Sequence, residues 1–190
     1  MGSLQFEGAD KLIAAIDAAV GKPCPDTITG DLRNALSRLI RTEEVRLPDC
    51  VYQAHPEHYA RRELYTSPEL GYSVIAMTWG PGQGTPIHDH SGMWCVEGVW
   101  HGSLEVVQYE LLDQADDLFK FKSVGAICAG CGSAGSLIPP HEYHTIANTA
   151  DDDVAVSVHV YSGAMERCNI FKPIGPDMYQ RCPRELCFDE

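Results

Sequence analysis

Positive charge is scarce in this chain of 190 residues. Fourteen lysines and arginines stand against 27 aspartates and glutamates, a formal net charge of −13, and no basic run is longer than Arg61-Arg62. Such a surface repels a phosphate backbone and an anionic bilayer alike, which excludes nucleic acid and membrane surfaces as expected partners. Long apolar runs are also missing, and nothing approaches the ~20 residues that a bilayer span needs. The start, MGSLQFEGADKLI, has no basic region leading into an apolar stretch and a small-residue cleavage site, so no secretory signal is expected. Eight cysteines without an export signal are expected to be reduced thiols in the cytoplasm rather than a disulfide framework. The one close pair, Cys128 and Cys131 in AICAGCGSAGS, lacks a second pair at usable spacing and a strand-to-helix setting. It reads as a small-residue loop rather than a zinc or redox site.

What is present fits a single domain with a sizeable core. In ADKLIAAIDAAV, Leu12, Ile13, Ile16 and Val20 share a helical stripe, and Gly21 supplies the stop. DLRNALSRLIRT repeats the pattern with Leu32, Leu36, Leu39 and Ile40. From Tyr59 onward the texture changes to short β-rich runs separated by Gly, Pro, Asn and Asp: ELY, YSVIAMTW, MWCVEGVW, SLEVVQYELL, LFKFKSV, AGSLIPP, HTIANT and VAVSVHVYS. DQADD reads as an acidic linker between two of them. The pattern predicts a barrel or sandwich. The expected organisation is a mainly helical segment over 1–58, an all-β core over 59–175 and a tail over 176–190 packed on or near it.

Alternation assigns the faces. His88 and His90 point the same way, with Asp89 opposite. In DDDVAVSVHVYS, Val154, Val156, Val158 and Val160 face a second layer, while Ser157, His159 and Tyr161 face a cavity. His-x-His beside a Gly/Pro-rich turn can offer two imidazoles to one ion; a charged turn with two solvent-facing histidines is the plain alternative. His144, opening a strand after a proline-fixed bend, is the best third ligand. His141, directly after Pro139-Pro140, is its local rival and reads as a turn residue.

Gly82, His88, His90 and Gly102, with Pro140, His144 and Asn148, resemble the two signature motifs of the cupin superfamily. Cys95 stands where most cupins place a ligand glutamate, and Glu97 lies two positions later on the same face. That replacement is similar to the cysteine dioxygenase family of thiol dioxygenases, of which the chain reads as a bacterial member. The resemblance covers about residues 59–170 and implies a cupin double-stranded β-helix (jelly-roll) barrel with N-terminal helices. It also implies Fe(2+) held by His88, His90 and His144, and a monomeric enzyme of cysteine catabolism. Residue by residue, Cys95 and Tyr161 match a pair that can be joined by a thioether bond, and Ser157 and His159 match the partners of that tyrosine. Cys168 matches a cysteine at the entrance. Tyr59 and Arg61 match a tyrosine-x-arginine pair whose arginine holds the substrate carboxylate. An ungapped alignment back from Trp79 would put Arg62 there; a one-residue insertion in the TSPELG turn favours Arg61.

The chemistry implied is conversion of L-cysteine and O2 to cysteine sulfinic acid. Three neutral imidazoles leave the full charge on Fe(II), which favours an incoming thiolate whose free pKa is about 8.5. Two other readings are weighed beside this one. A 3-mercaptopropionate dioxygenase would typically carry glutamine after Tyr59 and an arginine beyond the Ser-His-Tyr strand, and Arg167 falls three residues early for that. A non-catalytic, small-molecule-binding cupin would be indicated by loss of a ligand histidine, and none is lost.

Overall fold

The computed structural model describes residues 5–189; residues 1–4 and 190, the outer ends of the expected helical segment and tail, lie outside the described residues. Two helices come first, α1 (Ala9–Val20) and α2 (Pro25–Thr42), with a short 3-10 turn at Asp49–Tyr52. Their buried residues, Leu12 and Ile16 on α1 and Leu32, Leu36 and Leu39 on α2, follow the spacing that gathers side chains on one helical face. α2 begins at Pro25, earlier than the apolar stripe alone indicates. Proline is well placed there, since the first turn of a helix leaves its amides without intrahelical acceptors.

Eleven strands follow among the described residues: β1 (Ala60–Thr66), β2 (Ser73–Trp79), β3 (Ile87–His88), β4 (Cys95–His101), β5 (Ser103–Ala115), β6 (Leu118–Gly130), β7 (Ala134–Leu137), β8 (His144–Ala147), β9 (Ala155–Tyr161), β10 (Arg167–Gly175) and β11 (Met178–Glu185). One antiparallel sheet has the order β1-β2-β9-β4-β7. The pairing of the other runs β10-β11-β6-β5-β8-β3, and β3 pairs in turn with β10. The result is an all-β fold of antiparallel strands with two N-terminal helices.

The period of two along β9 divides the interior. Val156, Val158 and Val160 join Val74, Ala76 and Val96 under the helices, in one cluster with Leu32, Leu36 and Leu39. The opposite face of the same sheet contributes Ile75, Met77, Trp79, Cys95 and Tyr161, which meet Leu104, Val106 and Ile146 from the second sheet. Every residue of β9 is buried, so its polar row Ser157, His159 and Tyr161 lies between the sheets.

Three segments differ from the sequence reading. The tail supplies a full strand, β11, hydrogen-bonded to β10 along its length and to β6 at Met178–Gln180. Its polar run and Pro183 mask the strand pattern. Proline is tolerated there because Pro183 pairs with Asn169 on one side only. The acidic linker is the tip of a hairpin: Asp113, Gln114 and Ala115 belong to β5, and the reversal falls at Asp116, whose φ is 53°. The small-residue loop is largely strand, with Cys128 exposed on β6 and Cys131 beyond its end.

Gly102 links β4 to β5 at φ 68°, where an added Cβ would approach the Val154 carbonyl oxygen to 2.8 Å. Gly102→Ala is therefore expected to destabilise the fold by about 1–3 kcal/mol. A lowered midpoint in a thermal melt is the predicted readout, and an unchanged midpoint would contradict it.

Candidate metal and substrate site

β3 and β8 bring His88 and His144 together as direct cross-strand partners, and His90 follows in the turn after β3. The ring centroids lie 4.5 Å apart for His88–His144, 5.1 Å for His88–His90 and 5.2 Å for His90–His144. One ligand nitrogen from each lies within 4.8 Å of the other two. The outer nitrogens decide the tautomers. Nδ1 of His88 meets the Pro86 carbonyl at 3.1 Å, Nδ1 of His144 meets the Glu142 carbonyl at 3.0 Å, and Nδ1 of His90 meets Glu142 Oε2 at 3.0 Å. A carbonyl or carboxylate oxygen only accepts, so each Nδ1 carries a proton, and a neutral ring then has its lone pair on Nε2. Burial, then the neighbouring histidines, holds His88 well below the ordinary imidazole range; the same causes bring His144 down to about 3. Converging imidazoles whose Nδ1 atoms are engaged on the outer side suit a borderline divalent transition metal. His141 is exposed and stands outside the group.

A cavity opens beside these rings, lined among others by Tyr59, Arg61, Trp79, His159, Tyr161 and Cys168. Alternation along β1 sends its two arginines to different places. Arg61 enters the cavity wall, where Nη1 donates to the Cys187 carbonyl at 3.1 Å, Nη2 donates to the Met165 carbonyl at 2.9 Å, and Nε is buried without a hydrogen-bond partner. Arg62 reaches away from it, to the Thr78 hydroxyl at 3.3 Å and the Gln53 carbonyl at 3.0 Å. Tyr59 stacks on Trp79 with centroids 4.6 Å apart. Burial, then the charge of Asp89, pushes the Cys168 thiol up to about 11, so it remains protonated at neutral pH.

On the inner face of β9 the polar row forms a chain. The Trp79 indole donates to Ser157 Oγ at 2.9 Å, Ser157 Oγ lies 2.8 Å from His159 Nε2, and Tyr161 Oη lies 3.3 Å from His159 Nδ1. Burial, then His90 and His88, lowers His159 to about 3. Burial, then the neighbouring Cys95, raises the Tyr161 phenol well above its usual value. Cys95 is the cross-strand partner of Tyr161 and lies with its sulfur 3.9 Å from His159 Nδ1. Glu97, one alternate position along β4, places Oε2 at 3.5 Å from His159 Nδ1 and 3.9 Å from His144 Nε2. That oxygen is buried without a hydrogen-bond partner, and burial pushes the carboxyl up to about 7.

Two participants escape a reading of the sequence. Glu142 is buried, accepts from both the amide and the ring of His90, and lends its carbonyl to His144. Its signal was its place two residues before His144, which puts it on the same face. Trp79 reads as core from its strand, and only the fold brings its indole to Ser157.

The family model for cysteine dioxygenase type I matches residues 50–173. Cysteine dioxygenase type 1 of Rattus norvegicus is 24% identical over 146 residues, covering 70% of this chain and 70% of that protein. The Homo sapiens protein of the same name is 24% identical over 157 residues, covering 74% and 77%. Among solved structures, a Cupin 2 conserved barrel domain protein from Salinispora arenicola is 18% identical, covering 62% of this chain and 87% of that one at a TM-score of 0.42.

Proposed function

The chain belongs to the cysteine dioxygenase type I family, and from that membership we propose that it is a non-haem Fe(2+) thiol dioxygenase converting L-cysteine and O2 to cysteine sulfinic acid. The observation that carries the reading is a set of three converging imidazoles, each engaged at Nδ1, beside a buried arginine whose Nε has no partner. The fold is read as the double-stranded β-helix barrel of the cupins. Ferrous iron, held by His88, His90 and His144, would supply the redox chemistry that places both oxygen atoms on sulfur; zinc fits the same donors without that capacity.

The chain's own residues do the rest. A buried, unpaired N–H is costly, and a carboxylate arriving at Arg61 Nε relieves that cost with a charge-assisted bond. The ligand histidines bring no negative charge, so the site favours an anionic sulfur. The Trp79 indole donates to one lone pair of Ser157 Oγ, and the Ser157 hydroxyl can give its own proton to His159 Nε2. The His159 proton then lies on Nδ1 and donates to the Tyr161 oxygen. Tyr161 stays a neutral phenol at physiological pH and can donate its own proton into the cavity. Tyr59 supports the substrate wall by stacking on Trp79, and Cys168 narrows the entrance.

Cys95 and Tyr161 are read as a thioether pair, supported by their burial and cross-strand register. Formation joins sulfur to a ring carbon, with loss of the thiol hydrogen and one ring hydrogen. The two electrons and two protons pass to O2, giving hydrogen peroxide. After turnover with cysteine, intact mass is expected to show a fraction lighter by a pair of hydrogens, absent in Cys95→Ala. A single unmodified species would contradict the link.

Oxygen uptake by the iron-loaded chain tests the substrate. Parallel assays with cysteine, 3-mercaptopropionate and cysteamine are expected to give cysteine the highest kcat/KM, by about tenfold or more over cysteamine. A preference for 3-mercaptopropionate would move the substrate assignment while keeping the chemistry.

A further inference from the structure

The segment following β11 is bound to the site through Arg61 itself. β1 is an edge strand of its sheet, so its outward amides and carbonyls need partners from elsewhere. Asp189 supplies them at one residue: its amide donates to the Arg61 carbonyl at 2.8 Å, and its Oδ2 accepts from the Arg61 amide at 2.8 Å. Phe188 places its ring 5.1 Å from the Arg61 guanidinium carbon, and the Cys187 carbonyl accepts from Nη1. Leu186, whose amide donates to the Glu166 carbonyl at 2.8 Å, lines the same cavity as His88 and His144. Four consecutive residues thus hold one arginine by its backbone, its ring-facing side and one Nη, or wall the cavity it enters.

We propose that Leu186–Asp189 is a specificity wall for carboxylate-bearing thiols, and that Asp189 is a positioning residue which sets the Arg61 guanidinium by fixing its backbone. The proposal rests on reading Arg61 as the carboxylate-binding group. Its physical basis is preorganisation. Nη1 and Nη2 each donate to a fixed carbonyl, which sets the plane of the guanidinium and leaves Nε as the buried donor without a partner. A long side chain rooted in a frayed edge strand would have to recover that orientation each time a substrate binds. Asp189 is braced in turn by His58, whose Nε2 lies 2.9 Å from Oδ1 and whose ring stacks on His55 at 3.8 Å. His55, His58 and Asp189 lie close enough together to surround an ion. The hydrogen bonds favour a brace instead. His55 Nδ1 accepts the Glu57 amide at 3.2 Å, which puts the ring proton on Nε2, and both Asp189 oxygens are already engaged.

Asp189→Ala and Asp189→Asn in the full chain test this, since asparagine keeps an acceptor for the Arg61 amide and alanine does not. In Asp189→Ala the Arg61 amide is expected to exchange its hydrogen about tenfold faster than in the wild type. KM for cysteine should rise about tenfold with kcat within about twofold, while KM for cysteamine, which has no carboxylate, stays the same. Asp189→Asn should recover most of both effects. Unchanged exchange at Arg61, or an equal rise in KM for cysteine and cysteamine, would overturn the proposal. A wild-type chain that consumes no oxygen with any small thiol would instead overturn the dioxygenase reading and the substrate half of this proposal. The exchange measurement reads the attachment of Asp189 without turnover.

Discussion

His144→Ala is expected to leave the purified chain almost free of iron, with oxygen uptake on cysteine at least about a thousandfold below wild type. Removing one imidazole leaves His88 and His90 as a two-nitrogen site. Their Nδ1 bonds to Pro86 and Glu142 would keep them oriented but cannot replace the lost donor. The effect should be graded around the site. Glu142→Ala removes the carboxylate that holds His90 by ring and amide, and an orienting partner of this kind is worth about 10–100-fold in metal affinity. His141→Ala, which alters an exposed residue outside the group, should change neither iron content nor rate. Iron measured by elemental mass spectrometry, beside uptake rates for the three variants, checks the order. Full iron occupancy in His144→Ala would refute the assignment of that ligand.

Arg61→Ala and Arg62→Ala are expected to part company completely. Both arginines are buried neighbours on one strand, but only Arg61 lines the cavity. Losing a buried charge-assisted bond to a carboxylate costs several kcal/mol, so Arg61→Ala should raise KM for cysteine by about a hundredfold or more. Cysteamine should be affected far less. Arg62→Ala leaves the Gln53 carbonyl and the Thr78 hydroxyl without that donor on the far side of the strand. Its expected effect is a loss of about 1–3 kcal/mol in stability with KM for cysteine near wild type. Steady-state kinetics and thermal melts of the two variants separate these outcomes. A KM effect confined to Arg62→Ala would transfer the carboxylate-binding role to it.

The parts legible in the sequence are those governed by local period. Leu12, Ile16 and Val20 of α1, Leu32, Leu36, Leu39 and Ile40 of α2 and Val156, Val158 and Val160 of β9 follow from spacing and meet in one cluster, which leaves out Ile13 and Val154. The Ser-His-Tyr face of β9 is buried on the other side. The same rule separates Arg61 from Arg62 once β1 is known to be a strand. What stayed hidden depends on residues distant in sequence. β11 has few apolar residues and a proline, so nothing local marks it as a strand; its place comes from pairing with β10 and β6. The indole of Trp79 and Ser157 are 78 residues apart, and Asp189 and Arg61 are 128 apart. Glu97 illustrates the same limit. Alternation puts it on the face of Cys95, but only the fold shows its carboxylate caught between His159 and His144.

The most direct measurement of the central claim is single-vessel stoichiometry with the iron-loaded chain, following O2 consumed and cysteine sulfinate formed. Transfer of both oxygen atoms to one sulfur predicts one sulfinate for each O2, abolished when iron is removed and restored when it is returned. Oxygen uptake that yields cystine and hydrogen peroxide without sulfinate, or no uptake at all, would contradict it.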